Sequence, residues 1–536
     1  MTFDLVSRVA RRFTCEVTAA VIGLAACLLP AQAQELKIGA RSDIVIDPHS
    51  SWAMSNTQYF YHYLGFMNWL DESDKVVPRM AKSATAVSPN LWEVKLNEGL
   101  KFSNGAPVTV NDVVASYERA RTLPNAIGTF AGLFAGLKEM KAIDDLTMRV
   151  VTSRPYPTWP ATMTQISVLP AEVAKTATQA DFSSGRANIS SSAYKFVEYV
   201  PANRLVVERN SAYVGPKARW DKVTFRILTN NATRVAALLS GDVDMIDGVP
   251  PEDAATIAKD PRFTLYTGPS DRIIMLAMDS SRDVSPFITD LQGNKLTTNP
   301  LKDVRVRRAM SLAIDRELIR DRVMDGHSIP NNQLIPKGLG GYAANIPEAK
   351  VDLPKARALM KEAGWADGFG IALACPEGRY VNASKICQAA AQMLGRINIK
   401  VTVEVMPYGV FASRVTNKTG DRASLMLFGW GASSSGEANV LQNAIHTWDK
   451  EQRLGAWNIG MYSNPEVDKL IVKGLSTLDA KERHAIQAEA MTKAMEDVAA
   501  IPLHTQVVIV ATRKGLKYTV QANECTLADF VEPTSN

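Results

Sequence analysis

Strand-like and helix-like periods take turns along nearly the whole chain, and this alternation constrains the fold more than any single motif. Residues 36–46 read as an opening strand and turn. WEVKLNEGLKF (92–102) alternates apolar and polar residues, as a half-buried strand does, with a tight turn at Asn97-Glu98-Gly99. Thr109-Val110-Asn111-Asp112 is a helix-capping signal, and the helix it opens places Val110, Val113, Val114 and Tyr117 on one face. A hairpin is expected over 194–209 and a strand over 222–228. A short helix over 233–240 is stopped by Gly241, and a strand follows over 242–247 (DVDMID). Asp303 is expected to cap one helix, VRVRRAMSLAIDRELI, with Val306, Met310, Ala313, Ile314 and Leu318 inward. Further helices are expected over 352–364, 384–396 and 479–497, and strands over 399–406 and 501–512. Such alternation argues for layered α/β architecture. The chain has 536 residues. One hydrophobic core stops growing at roughly 250–300 residues, so about two or three domains are expected.

Residues 1–33 read as a targeting segment. Arg8, Arg11 and Arg12 give it a basic start, residues 17–29 are mostly apolar, and Ala31-Gln32-Ala33 is a cleavage signature. An apolar stretch of that length falls short of the roughly 20 residues that span a bilayer. Export is therefore expected, with cleavage at Ala33 preferred over lipidation of Cys27. Of the five cysteines, Cys375, Cys387 and Cys525 follow the leader. In an oxidising compartment Cys375 and Cys387 either pair or remain two buried thiols. The formal charge is +5 and the basic residues are spread without a run, which excludes an electrostatic case for nucleic-acid binding.

FGWGASSSGEANVLQ (428–442) follows the apolar run Leu425–Leu427, so a polar loop with one indole ends a buried strand. Ser433, Ser434 or Ser435 as a nucleophile would need a base and an orienting group. No G-x-S-x-G elbow occurs, and the six histidines are scattered. Asp242 and Asp244 on one strand face are the solvated edge of that strand, and no spacing of histidines or cysteines supports a metal site. Ligand contact is the expected role of the serine loop, with Trp430 against the ligand. Tyr59 and Tyr61 are expected to be buried helix packing.

Several segments, in order, resemble the extracytoplasmic solute-binding proteins of ABC transporters, family 5, which bind peptides, oligopeptides and nickel. Residues 78–120 carry Pro78, Ala81, Ser83, Leu96, Gly99, Lys101, Phe102, Gly105, Pro107, Asp112 and Val113 at the positions of the family signature. DVRVRRAMSLAIDRELI (303–319) and SAYKFVEYVPANRLVVERNSAYVG (192–215) resemble later family segments. The resemblance implies a two-lobe periplasmic binding protein fold, with an extra subdomain in lobe one and the ligand cleft between the lobes. On this mapping residues 34–270 form lobe one, 271–501 lobe two, and 502–536 return to lobe one.

The resemblance also implies the site. Dipeptide binders carry an aspartate three residues after the tryptophan, where this chain has Ser433, and Glu437 is the nearby carboxylate that takes its place. The run Ser434–Ala438 resembles the loop of glutathione-binding members. Arg379, in PEGRY (376–380), occupies the position of the arginine that holds a substrate carboxylate in dipeptide binders, which glutathione-binding members lack. The implied ligand set is Arg379, Trp430, Ser433, Ser434, Ser435 and Glu437, with no catalytic residue, metal or cofactor. The expected protein is a monomeric periplasmic binder that delivers a small peptide or peptide-like solute to the permease subunits of an ABC importer in the inner membrane. A non-peptide solute (a sugar, an opine or a metal chelate) is the alternative for the same role. An exported serine hydrolase is the weaker alternative.

Overall fold

The structure is a computed structural model and describes residues 34–127, 129–417, 422–431 and 439–534. Its main sheet draws strands from both ends of the chain. In chain order these are β1 (Glu35–Ala40), β2 (Tyr194–Val200), β3 (Arg204–Arg209), β4 (Lys222–Ile227), β5 (Met245–Ile246), β6 (Phe263–Met278) and β7 (Ile288–Thr289). There follow β8 (Ser328–Pro330), β9 (Phe369–Glu377), β10 (Ile399–Pro407), β11 (Leu425–Gly431) and β12 (Ala500–Arg513). They hydrogen-bond in the order β2-β3-β4-β1-β5-β12-β6-β11-β9-β7, with β8 on β12 and β10 on β9. β1 lies parallel to both of its neighbours, and β9 lies parallel to β10 and β11.

β6 and β12 form the long antiparallel pair at the middle. Their pairing runs from Phe263 opposite Arg513 to Ala277 opposite Ala500, and the register shifts between Pro269 and Ile273. The two ends of this pair belong to different cores. Phe263 packs with Val249, Ile257 and Ile509. Beyond the shift, Ile274 and Leu276 pack with Leu373, Ile386 and Leu503, while Ile273 and Met275 pack with Met426, Phe428 and Met491. A separate core gathers Leu36, Ile38, Phe225 and Val510. A four-stranded antiparallel sheet (Ala81–Ser88, Leu91–Leu96, Thr147–Thr152 and Leu137–Ala142, in that order) covers a core of Trp92, Tyr117 and Trp159. The result is a mixed α/β architecture with one curled sheet, as the alternating periods imply.

Two expected elements differ. The helix expected from Asp303 is broken at Ile314 into Val304–Ala313 and Arg316–Arg322. Asp315 caps the second piece by accepting from the Leu318 N–H at 3.0 Å. The buried Arg316 guanidinium donates to the carbonyls of Ser311 and Ile314 and, across the fold, to those of Asn331 and Pro502. Leu318, expected inward, is exposed. The strand expected over 242–247 pairs only at Met245–Ile246. Asp244 accepts from the Lys37 N–H and buried Asp247 from the Arg41 N–H, both at 2.8 Å. Asp244 and Asp247 thus tie down the edges of β1, and Asp242 and Asp244 do not share a strand face at a solvated edge. Tyr59 and Tyr61 are fully buried in the helix Met54–Tyr63, as expected.

Candidate functional site

β9 ends at Glu377, and Gly378 turns the chain with φ of +74° to present Arg379. The Arg379 guanidinium lies 5.4 Å from the Tyr380 ring centre and 5.7 Å from that of Tyr408. These are cation–π distances that orient the group without neutralising it. Among the described residues, none gives Arg379 a hydrogen bond or ion pair. Tyr380 is fixed in turn by donating its hydroxyl to the Gly429 carbonyl at 3.2 Å. Gly429 is required by this approach, because a Cβ there would stand 2.6 Å from Tyr380 Cε1 and 2.8 Å from Ile274 Cδ1.

Strand alternation on β11 puts Phe428 and Trp430 on one face. There they join Trp457, with ring centres 6.0 to 6.3 Å apart. Trp430 is largely buried, and its indole N–H donates to Asn439 Oδ1 at 2.7 Å. It is therefore both core and wall. With Trp52 and Gln165, these residues line a cavity of about 150 Å³. Gln165 is buried, its Nε2 donates to Thr164 Oγ1, and its Oε1 has no partner among the described residues.

A second guanidinium lines the cavity. Arg272, on β6 opposite Gly431, makes a two-pronged pair with Glu524 at 3.1 Å on each arm. Glu524 also accepts from Ser270 Oγ at 2.9 Å and Gln506 Nε2 at 2.5 Å, with Arg41 at 3.6 Å. Burial alone would raise the Glu524 carboxyl. The charges of Arg272 and Arg41 and the Arg272 hydrogen bond outweigh it, with Arg379 adding, and hold it at about 2. Arg272 is thus neutralised within the protein, whereas Arg379 keeps its charge toward the cavity.

The structure therefore brings Arg379 and Trp430 to one cavity. Ser433, Ser434, Ser435 and Glu437 lie outside the described residues. Sequence reading missed Arg272, Trp52, Gln165, Tyr408 and Trp457, none of which sits in a recognisable local pattern. A buried serine–histidine contact does exist, Ser167 Oγ to His49 Nε2 at 3.3 Å. It does not line this cavity, and His49 Nδ1 has no orienting partner among the described residues. Burial and the Arg119 charge hold that imidazole down to about 4.

A small aromatic cavity with one guanidinium unpaired among the described residues at its wall is the kind of concave, mostly apolar space in which small solutes are held. The chain belongs to the bacterial extracellular solute-binding proteins, family 5: the family model described as "Bacterial extracellular solute-binding proteins, family 5 Middle" matches residues 75–452. It is 27% identical over 482 residues to the glutathione-binding protein GsiB of Pectobacterium atrosepticum, covering 88% of each chain. Among solved structures, it is similar to the periplasmic binding protein DppA of Helicobacter pylori in complex with the peptide STSA. There the TM-score is 0.75 at 20% identity, covering 93% of this chain and 98% of that one. It is also similar to AgaA of A. tumefaciens R10 in complex with agropinic acid, with TM-score 0.74 at 22% identity, covering 94% of this chain and 99% of that one. The fold is the two-lobe fold of these binding proteins.

Proposed function

We propose that this protein is the solute-binding component of an ABC importer, and that it captures a small peptide or peptide-like solute bearing a carboxylate. The observation that carries this reading is the Arg379 guanidinium, unpaired among the described residues and facing a tryptophan-lined cavity. A guanidinium fork suits a carboxylate bidentately. The similarity to a glutathione-binding protein and to a peptide-bound DppA supports a peptide-like ligand. Lobe one spans 34–270 and 502–536, and lobe two spans 271–501. The change of core along β6 and β12, from Phe263 and Ile509 to Ile274 and Leu503, supports a crossing near 270 and puts the return between 503 and 509, a few residues beyond 502. The lobes close around the solute because it touches both, and closure is a population shift. The closed form is what the permease subunits recognise, and no chemical step takes place on the protein. Residues 1–33 direct export and are removed at Ala33. Among the described residues no helix is long and apolar enough to cross a membrane. The mature protein works as a periplasmic monomer.

Calorimetric titration of the mature chain with alanyl-alanine and with its C-terminal amide tests the role of Arg379. The free acid is expected to bind at least tenfold tighter, and Arg379→Gln to abolish that preference. A charge-assisted hydrogen bond of about 1.5–3 kcal/mol corresponds to roughly 10–100-fold in affinity. An acid-over-amide preference that survives Arg379→Gln would overturn the assignment.

A further inference from the structure

The segment that presents Arg379 runs on into the helix Ala383–Gly395, and a side chain from another core reaches the start of that helix. Lys385 Nζ donates to Glu252 Oε1 at 3.2 Å. Glu252 lies with Asp253 in the first turn of the helix Pro251–Lys259, whose Ala254 and Ile257 pack with Phe263 and Ile509. Lys385 is followed by Ile386 and Cys387, which pack with Leu373 and Leu503. The pair therefore joins a lobe-one core to a lobe-two core, between residues 133 apart in the chain. A second tie, from Arg453 Nη1 to the Ala131 carbonyl at 2.7 Å, crosses between the same lobes.

Local preference does not account for this lysine. The N-terminus of a helix carries partial positive charge, so an ammonium in its first turn is unfavourable. The helix Ala383–Gly395 has no acid in its first turn, and Asn382 gives it no side-chain cap. Glu252 supplies the negative charge from the other lobe. Partial burial raises the Glu252 carboxyl, but its own N–H, Lys385 and Asn382 outweigh this and hold it below the usual carboxylate range. It is ionised at neutral pH, as an ion pair requires. The two side chains are 55% and 46% exposed. The pair is thus weak enough to break when the lobes open, and salt screens it.

We propose that Glu252 and Lys385 form an electrostatic latch between the lobes, which favours the closed form and tightens the hold on a solute without touching it. The latch acts on the closing equilibrium, so its share of affinity is the same for every ligand. Selectivity stays with the cavity. This inference rests on the two-lobe closure proposed above.

Small-angle X-ray scattering and calorimetric titration of the mature chain test it, on wild type, Glu252→Lys, Lys385→Glu and the double exchange. Without ligand, each single variant is expected to have a larger radius of gyration than wild type, and the double exchange to return to the wild-type value. Each single variant should bind alanyl-alanine and its C-terminal amide about two- to fivefold more weakly, by one factor for both, with recovery in the exchange. The differences should shrink in about 0.5 M salt. Lys385→Glu puts an acid in the first turn, which by itself favours that helix, so a lost closure there is not a lost helix. Equal radii for the four chains, or a double exchange no closer to wild type than either single variant, would overturn the latch. A wild type that binds acid and amide alike would instead overturn the Arg379 reading.

Discussion

Asp74 shows how far a single residue can be held from its ordinary state. It sits in a turn with φ of 61° and is 3% exposed. Burial first, then the charges of Asp271 and Asp71, push its carboxyl up to about 9, against a smaller opposing effect of Asn523. The folded protein therefore keeps Asp74 protonated at neutral pH, whereas the unfolded chain ionises it near about 3.9. A raised carboxyl contributes stability that is complete below the unfolded value and is lost as pH rises toward the folded one. Asp74→Asn cannot ionise, so it is expected to melt higher than wild type at pH 8 and to lose that advantage at pH 4. An advantage of the same size at both pH values would contradict this account. At this scale the sequence was partly legible: resemblance singled out Arg379 and Trp430, which the fold brings to one cavity. It could not bring Arg272 to that cavity, because the Glu524 that neutralises it lies 252 residues away.

At the scale of elements, the segment bearing Arg379 is held from both sides. Cys375 near the end of β9 is disulfide-bonded to Cys387 in the helix Ala383–Gly395, the first of the two alternatives left open by the sequence. Arg379 and Tyr380 lie inside the loop it closes. Cys387→Ala is expected to lower the unfolding free energy by about 3 kcal/mol for a loop of this size. Equilibrium urea unfolding, with and without reductant, measures this. A wild type indifferent to reductant and equal to the variant would contradict it.

Elements with local signals were legible. The Thr109–Asp112 capping box forms as expected, with the Thr109 N–H donating to Asp112 Oδ2 at 2.8 Å. Gly241 ends its helix at φ of +81°. The break at Ile314 was not legible, because the apolar period runs through it. What stabilises the break is Arg316 reaching the carbonyls of Asn331 and Pro502, a tertiary arrangement that no window of sequence contains.

At the scale of the whole molecule, two strands carry the design. β6 and β12 pass from one set of cores to the other, with a register shift at Pro269–Ile273, and the Arg272–Glu524 pair sits beside that shift. The buried charges fix the crossing, and Trp52, Gln165, Arg379 and Trp430 line the cavity that Arg272 also reaches. The ordered family motifs made the fold readable. The cavity was not, since Trp52 and Trp457 share it only after the chain has doubled back across the whole sheet. The central claim, that this site encloses a carboxylate-bearing peptide-like solute, is tested most directly by mass spectrometry of the small molecule released when the purified mature protein is denatured. A peptide or peptide-like mass with a free carboxylate is expected. A released solute without any carboxylate, such as a neutral sugar, would contradict it.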